Sequence, residues 1–139
     1  MEPRPLTEDE RARLRGTLAP LLRDIEASGA IPPIIRDETH DDVADDFVCV
    51  MAWSADGTGM GLHIPTEDTA AARVARLAEQ VQEWEIEELA AAARPATWPE
   101  CPDHPNSHPL EPVLSDQDTA VWRCPRSGRV ISQVGAFGK

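Results

Sequence analysis

Between residues 95 and 112 the chain carries prolines at positions 95, 99, 102, 105, 109 and 112. Each one fixes φ and removes a backbone donor, so the segment can form neither a helix nor a central strand. The spacing predicts a semi-rigid loop that divides the chain. Residues 1–94 are expected to form a body made of a helix, a hairpin and a long helix. Residues 95–139 are expected to form a Pro-rich loop and a second hairpin, docked on that body as one compact unit. A length of 139 residues suffices to bury a real core.

Thr7-Glu8-Asp9-Glu10 has the form of a capping box and predicts a helix start. Leu14, Leu18, Leu21, Leu22 and Ile25 then recur at helical spacing and define one apolar stripe. Pro20 is expected to kink this helix, and Ser28-Gly29 to stop it. The run Phe47-Val48-Cys49-Val50-Met51-Ala52-Trp53 is apolar throughout and predicts a central strand buried on both faces. Asp56-Gly57 is a hairpin signal, and Gly59 to Ile64 reads as the returning strand, ended by Pro65.

Thr66-Glu67-Asp68 supplies a cap and first-turn acids for the next helix. Val74, Leu77, Val81, Trp84 and Leu89 follow as its apolar face, to a stop at Pro95. The glutamates at 83, 85, 87 and 88 are read as its wet side. Trp98 is expected to dock on the core. Thr119 to Cys124 and Arg129 to Val134 predict strands joined through Pro125-Arg126-Ser127-Gly128.

The chemistry lies in two short segments of one pattern, Cys101-Pro102-Asp103-His104-Pro105 and Cys124-Pro125-Arg126-Ser127-Gly128. Over roughly residues 98–139 they resemble the two knuckles of a degenerate zinc ribbon of the rubredoxin-like kind, in which each tight turn presents two ligands separated by two residues. His104 stands where a second Cys would be. Ser127 stands at the matching position of the second knuckle, and a neutral hydroxyl is a poor zinc ligand. His108, four residues beyond His104, is the replacement. Cys101, His104, His108 and Cys124 are thus the expected metal ligands, two thiolates and two imidazoles suited to structural zinc. The competing reading is a ribbon that has lost its metal and keeps buried thiols and loop histidines. The whole chain also resembles actinobacterial proteins that combine a Cys-Pro-x-His-Pro loop with a Trp-x-Cys-Pro knuckle, a resemblance that implies no activity. The resulting fold class is α+β: two helices with a central β-hairpin and a C-terminal zinc-ribbon-like β-hairpin.

Charge narrows the function. A formal net charge of -12 repels phosphate backbones and anionic lipid surfaces. The segment from Asp37 to Asp68 contains no Lys or Arg, whereas beyond Asp118 the charges are Arg123, Arg126, Arg129 and Lys139. No stretch approaches the roughly 20 apolar residues that span a bilayer. Three cysteines are an odd and sparse set, better suited to a reducing compartment than to a disulfide scaffold, and the expected location is the cytoplasm. Asp41, Asp42, Asp45 and Asp46 near His40 lack a calcium-loop spacing and read as a solvated face. His63 reads as structural and Cys49 as a small buried hydrophobe.

Three functions fit, in this order. The first is a zinc-stabilised interaction or adaptor module whose partner is another protein. The second is a nucleic-acid-binding ribbon, with Arg123, Arg126 and Arg129 on phosphates and Trp122 available for stacking. The third is a metal-dependent hydrolase with incompletely ligated zinc, for which only Glu100 and Asp103 lie near as bases and no His-Glu-x-x-His arrangement exists. No catalytic residue is assigned, the oligomeric state is left open, and a membrane partner is not expected.

Overall fold

A computed structural model describes residues 4–39, 47–65 and 69–138. His40, the acidic residues Asp41, Asp42, Asp45 and Asp46, the Thr66-Glu67-Asp68 signal and Lys139 lie outside the described residues. In chain order the elements are β1 (Arg4–Pro5), α1 (Glu8–Ser28), β2 (Ile34–Ile35), β3 (Glu38–Thr39), β4 (Phe47–Trp53), β5 (Gly59–Pro65), α2 (Ala70–Ala91), β6 (Glu111–Leu114), β7 (Ala120–Arg123) and β8 (Val130–Gln133). They form two helices and three small antiparallel sheets, ordered β1-β3, β2-β4-β5 and β6-β7-β8. The fold is α+β, as the sequence predicts.

The helix α1 begins at the capping box: Glu10 N donates to Thr7 Oγ1 at 3.2 Å and Thr7 N donates to Glu10 Oε1 at 2.9 Å. Arg4 completes the arrangement by donating to both Glu10 oxygens at 2.9 Å, and this bond chiefly holds the Glu10 carboxyl down at about 2. At the other end Gly29 adopts a left-handed conformation, as a C-terminal helix stop requires. Leu14, Leu18, Leu21 and Ile25 are buried, but Leu22 is 36% exposed and falls off the stripe. The stripe is completed by two polar residues, Thr17 and Asp24.

The strand β4 is central in its sheet, paired with β2 and β5. Val48, Val50 and Ala52 point into the core with Leu62 and Ile64 of β5. The opposite face is less enclosed than an apolar run suggests, since Met51 and Trp53 are half-buried. Trp53 lies over Gly59, where an added Cβ would come within 2.7 Å of its ring, and the Arg36 guanidinium covers it at 4.9 Å from the centroid.

The helix α2 is capped by Thr69, whose hydroxyl accepts from Ala72 N at 3.1 Å, three residues later than the cap expected at Thr66, and its first turn holds none of the expected acids. It packs against α1, β5, β6 and β7. Of its apolar stripe, Leu77, Val81, Trp84 and Leu89 are buried as expected, while Val74 is half-buried against the core. Glu85 corrects the reading of a wholly wet acidic face, being 0% exposed. Glu111 to Leu114 also departs from expectation: it forms β6 despite Pro112. The strand is an edge of the β6-β7-β8 sheet, where a missing ladder donor is tolerated.

One core cluster includes residues from both sides of the Pro-rich loop, among them Leu21, Ile25, Leu77, Trp84, Trp98, Leu110 and Trp122. Trp98 and Trp122 meet edge to face, with centroids 5.5 Å apart. Each indole then finds a partner on α1: Trp98 Nε1 donates to Ser28 Oγ at 2.9 Å and Trp122 Nε1 to Asp24 Oδ2 at 2.7 Å. The β6-β7-β8 sheet is thereby held against the first helix by oriented hydrogen bonds as well as by apolar burial.

Candidate metal centre

The segment from Pro99 to Leu110 closes on itself as a tight loop. Leu110 N donates to Pro99 O at 2.8 Å, Glu100 and Pro109 form an antiparallel bridge, and Cys101 N donates to His108 O at 3.4 Å. Cys101 and His108 thus sit opposite each other at the neck. His104 is brought back by a turn in which its N–H donates to Cys101 O at 3.1 Å. Prolines 102 and 105 restrict the turn, and Asn106 takes the positive φ of 59° that Asn tolerates better than most residues. From the body, the Gln82 side-chain amide of α2 donates to Trp98 O at 3.0 Å and to Leu110 O at 2.6 Å, clamping both ends of the loop.

The second turn follows β7. Cys124 N donates to Arg129 O at 2.8 Å and Gly128 N to Cys124 O at 2.8 Å, with Gly128 at a φ of 77°. Ser127, the residue in the doubtful ligand position, acts otherwise: its N–H points at Cys124 Sγ at 3.5 Å. Burial opposes ionisation of the Cys124 thiol. Hydrogen bonds from the Ser127 hydroxyl, the Ser127 and Arg126 amides and the Cys101 thiol outweigh it and hold the group at about 6.

The two turns bring Cys101 Sγ, His104 Nδ1, His108 Nε2 and Cys124 Sγ together, with one donor atom from each residue within 4.8 Å of the others. His104 Nδ1 lies 3.5 Å from Cys101 Sγ, 3.6 Å from Cys124 Sγ and 3.1 Å from His108 Nε2, which is itself 3.8 Å from Cys124 Sγ. Ordinary zinc bond lengths in a tetrahedron require edges of about 3.5 Å between sulfur and nitrogen and about 3.3 Å between two nitrogens. These four of the six edges match within a few tenths of an ångström, and the other two are within 4.8 Å. Both cysteines are fully buried and both imidazoles half-buried. His108 Nδ1 lies 2.9 Å from Pro109 O; donation there places the ring proton on Nδ1 and leaves the Nε2 lone pair facing the cluster. Fold and site define an α+β protein with a Cys2His2 cluster that could hold a metal ion.

No protein-family model matches the chain, and neither curated proteins nor solved structures yield a match.

Other expected residues are not all where the sequence reading puts them. Trp122 is 0% exposed and bonded to Asp24, so it offers no face for stacking. Arg123 donates to Glu111 Oε1 at 2.6 Å and Arg129 to Asp103 Oδ1 at 2.5 Å. Asp103 is therefore engaged, and Glu100 accepts from Asn106 N at 2.6 Å. Cys49 is buried in β4. The Gln80 side chain satisfies both backbone groups of His63 at 2.8 Å.

Two buried acids escaped the sequence reading. Asp24 accepts from Trp122 Nε1 at 2.7 Å, Gly135 N at 2.8 Å and Phe137 N at 2.9 Å. Glu85 accepts from Ile31 N at 2.6 Å through one oxygen, while the other has no protein partner. Burial pushes its carboxyl up to about 7, against the hydrogen bond from Ile31 and the nearby Arg94 charge, with Glu88 adding to the rise. The signal was present in both cases. Asp24 lies three residues after Leu21, and Glu85 lies four from both Val81 and Leu89, so each falls on a buried helical stripe.

Proposed function

We propose that this chain is a structural zinc-binding protein in which Cys101, His104, His108 and Cys124 ligate one ion, and that it serves as a protein-interaction or adaptor module. The carrying observation is that four of the six distances among two sulfurs and two imidazole nitrogens are close to those of a tetrahedral zinc site. Thiolate and imidazole donors favour zinc over the oxygen-seeking cations. Four protein ligands would close the coordination sphere, as in structural sites, leaving no position for a reactive water. The hydrolase alternative is weakened further because Glu100 and Asp103 are engaged elsewhere.

The interaction role draws support from the acidic surface implied by a charge of -12. Nucleic acid is the poorer partner. Its recognition would need Trp122 to leave a buried hydrogen bond, and Arg123 and Arg129 to leave carboxylates. Elemental analysis of protein purified without a histidine tag tests the zinc reading, with one ion per chain expected. Metal-free wild-type protein with an unaltered melting curve would defeat it. Affinity capture with the loaded and the metal-stripped chain tests the second half; a partner retained equally by both would make the ion irrelevant to binding.

A further inference from the structure

Among the described residues the three thiols are Cys49, Cys101 and Cys124, all buried and none in a disulfide. Their settings differ. Cys49 is in strand β4, with Thr39 Oγ1 bonded to its carbonyl and amide. Cys101 and Cys124 instead come from turns far apart in sequence, with their sulfurs within 4.8 Å of each other in the cluster. A disulfide needs about 2.05 Å between sulfurs, so closure calls for a movement of a few ångströms at most. Cys101 sits at the neck of a loop whose ends Gln82 ties to α2, and Cys124 lies in the turn just beyond β7, so the sulfurs approach by side-chain rotation and small shifts of the two turns. The half-buried imidazoles of His104 and His108 complete the cluster and are its more exposed members, both cysteines being fully buried.

We propose that Cys101 and Cys124 form a redox-switched pair, holding zinc when reduced and releasing it as a disulfide when oxidised by a peroxide. The inference rests on the zinc reading above and adds to it a means of regulation. One thiolate attacks a peroxide oxygen, the O–O bond breaks, and the departing oxygen takes a proton to leave as water or an alcohol. The resulting sulfenic acid is attacked by the second thiolate, which forms the S–S bond and expels hydroxide, protonated to water. Two electrons pass from the sulfurs to the peroxide. With both sulfurs tied in the disulfide, only His104 and His108 would remain as donors, too few to hold the ion in competition with solvent and chelators. A dithiol reductant reverses the chemistry by thiol–disulfide exchange.

Cys49 separates this switch from general oxidation, since it lies in β4, outside the cluster. The experiment treats zinc-loaded full-length protein, and separately the reduced metal-free chain, with a few equivalents of hydrogen peroxide. Released zinc is read with a chromophoric chelator, and thiols and cross-links by mass spectrometry. The expected result is one zinc released per chain, a loss of two hydrogens in mass, a single Cys101–Cys124 cross-linked peptide, and recovery with dithiothreitol plus zinc. Cys49→Ser should behave as wild type. Zinc retained with the thiols intact, oxygen added to either sulfur without a cross-link, or a cross-link through Cys49 would each overturn the proposal. Should the purified chain hold no zinc, the metal reading fails by itself; the metal-free arm still decides whether Cys101 and Cys124 pair.

Discussion

Trp122 and Asp24 lie 98 residues apart in the chain and meet at 2.7 Å with both side chains fully buried. The indole N–H and the backbone N–H groups of Gly135 and Phe137 converge on one carboxylate. A single acid on α1 therefore holds the central strand of the β6-β7-β8 sheet and the segment that follows β8. Cys124 lies two residues beyond Trp122, so this anchor also places one corner of the Cys2His2 cluster.

Removing the anchor should be costly. Asp24→Ala leaves the Trp122 indole and the Gly135 amide buried without acceptors, and a loss of about 3–5 kcal/mol in unfolding free energy is expected from urea titration. Asp24→Asn keeps one acceptor oxygen and should lose less. A loss under about 1 kcal/mol in the alanine variant would mean that the carboxylate is dispensable.

Cys124→Ser and His108→Ala should each abolish stoichiometric zinc at micromolar metal, since each removes one of four donors. Stripping the metal from wild-type protein should lower the melting temperature by more than about 5 °C, because binding free energy to the folded chain is lost. Tryptophan emission should change at the same time, since Trp98 and Trp122 flank the ligand-bearing turns. Retention of a full equivalent of zinc by His108→Ala would remove that residue from the ligand set.

Gln82→Ala leaves all four donors in place and removes the clamp on the Trp98 and Leu110 carbonyls. Groups that position ligands typically account for factors of 10 to 100, and a fall in zinc affinity of about 10-fold is expected from competition with a calibrated chelator. An unchanged affinity accompanied by lowered stability would assign Gln82 to packing alone.

Glu85 makes stability depend on pH in a defined direction. Its carboxyl is at about 7 in the folded protein against an ordinary 4.5, so between these values the folded state holds a proton that the unfolded chain has released. Stability therefore falls as pH rises through that window, and above it the buried charge costs at most about 3 kcal/mol. Glu85→Gln keeps an acceptor for Ile31 N–H and removes the charge. It should raise the urea midpoint at pH 8 and change it little at pH 5; an equal effect at both values would count against the buried charge.

Local signals account for most of what was legible. The Thr7 capping box, the Gly29 stop, the Asp56-Gly57 turn and the stripe on α2 act over a few residues, where backbone geometry and side-chain spacing settle the outcome. The four clustered residues were also legible, because the ligand-bearing turns depend on short Cys-Pro patterns whose donor chemistry is limited. Where burial is decided by a distant partner, local reading failed. Glu85 looked like one of several solvated acids until the turn at Ile31 covered it, and Trp122 looked available for stacking until Asp24 bonded it. Pro112 argued against a strand, yet an edge position made its missing donor harmless.

The sequence by itself determined the helices, the two hairpins and the kinds of donor atom in the cluster, since these follow from periodicity, capping and turn chemistry. Only the tertiary structure decided which nitrogen of each histidine faces the sulfurs, how Gln82 closes the loop, and which acids of the two helices are buried. The physical reason is that a hydrogen bond or a buried charge takes its energy from groups brought close in space, and residues 98 positions apart carry no mutual signal until the chain folds.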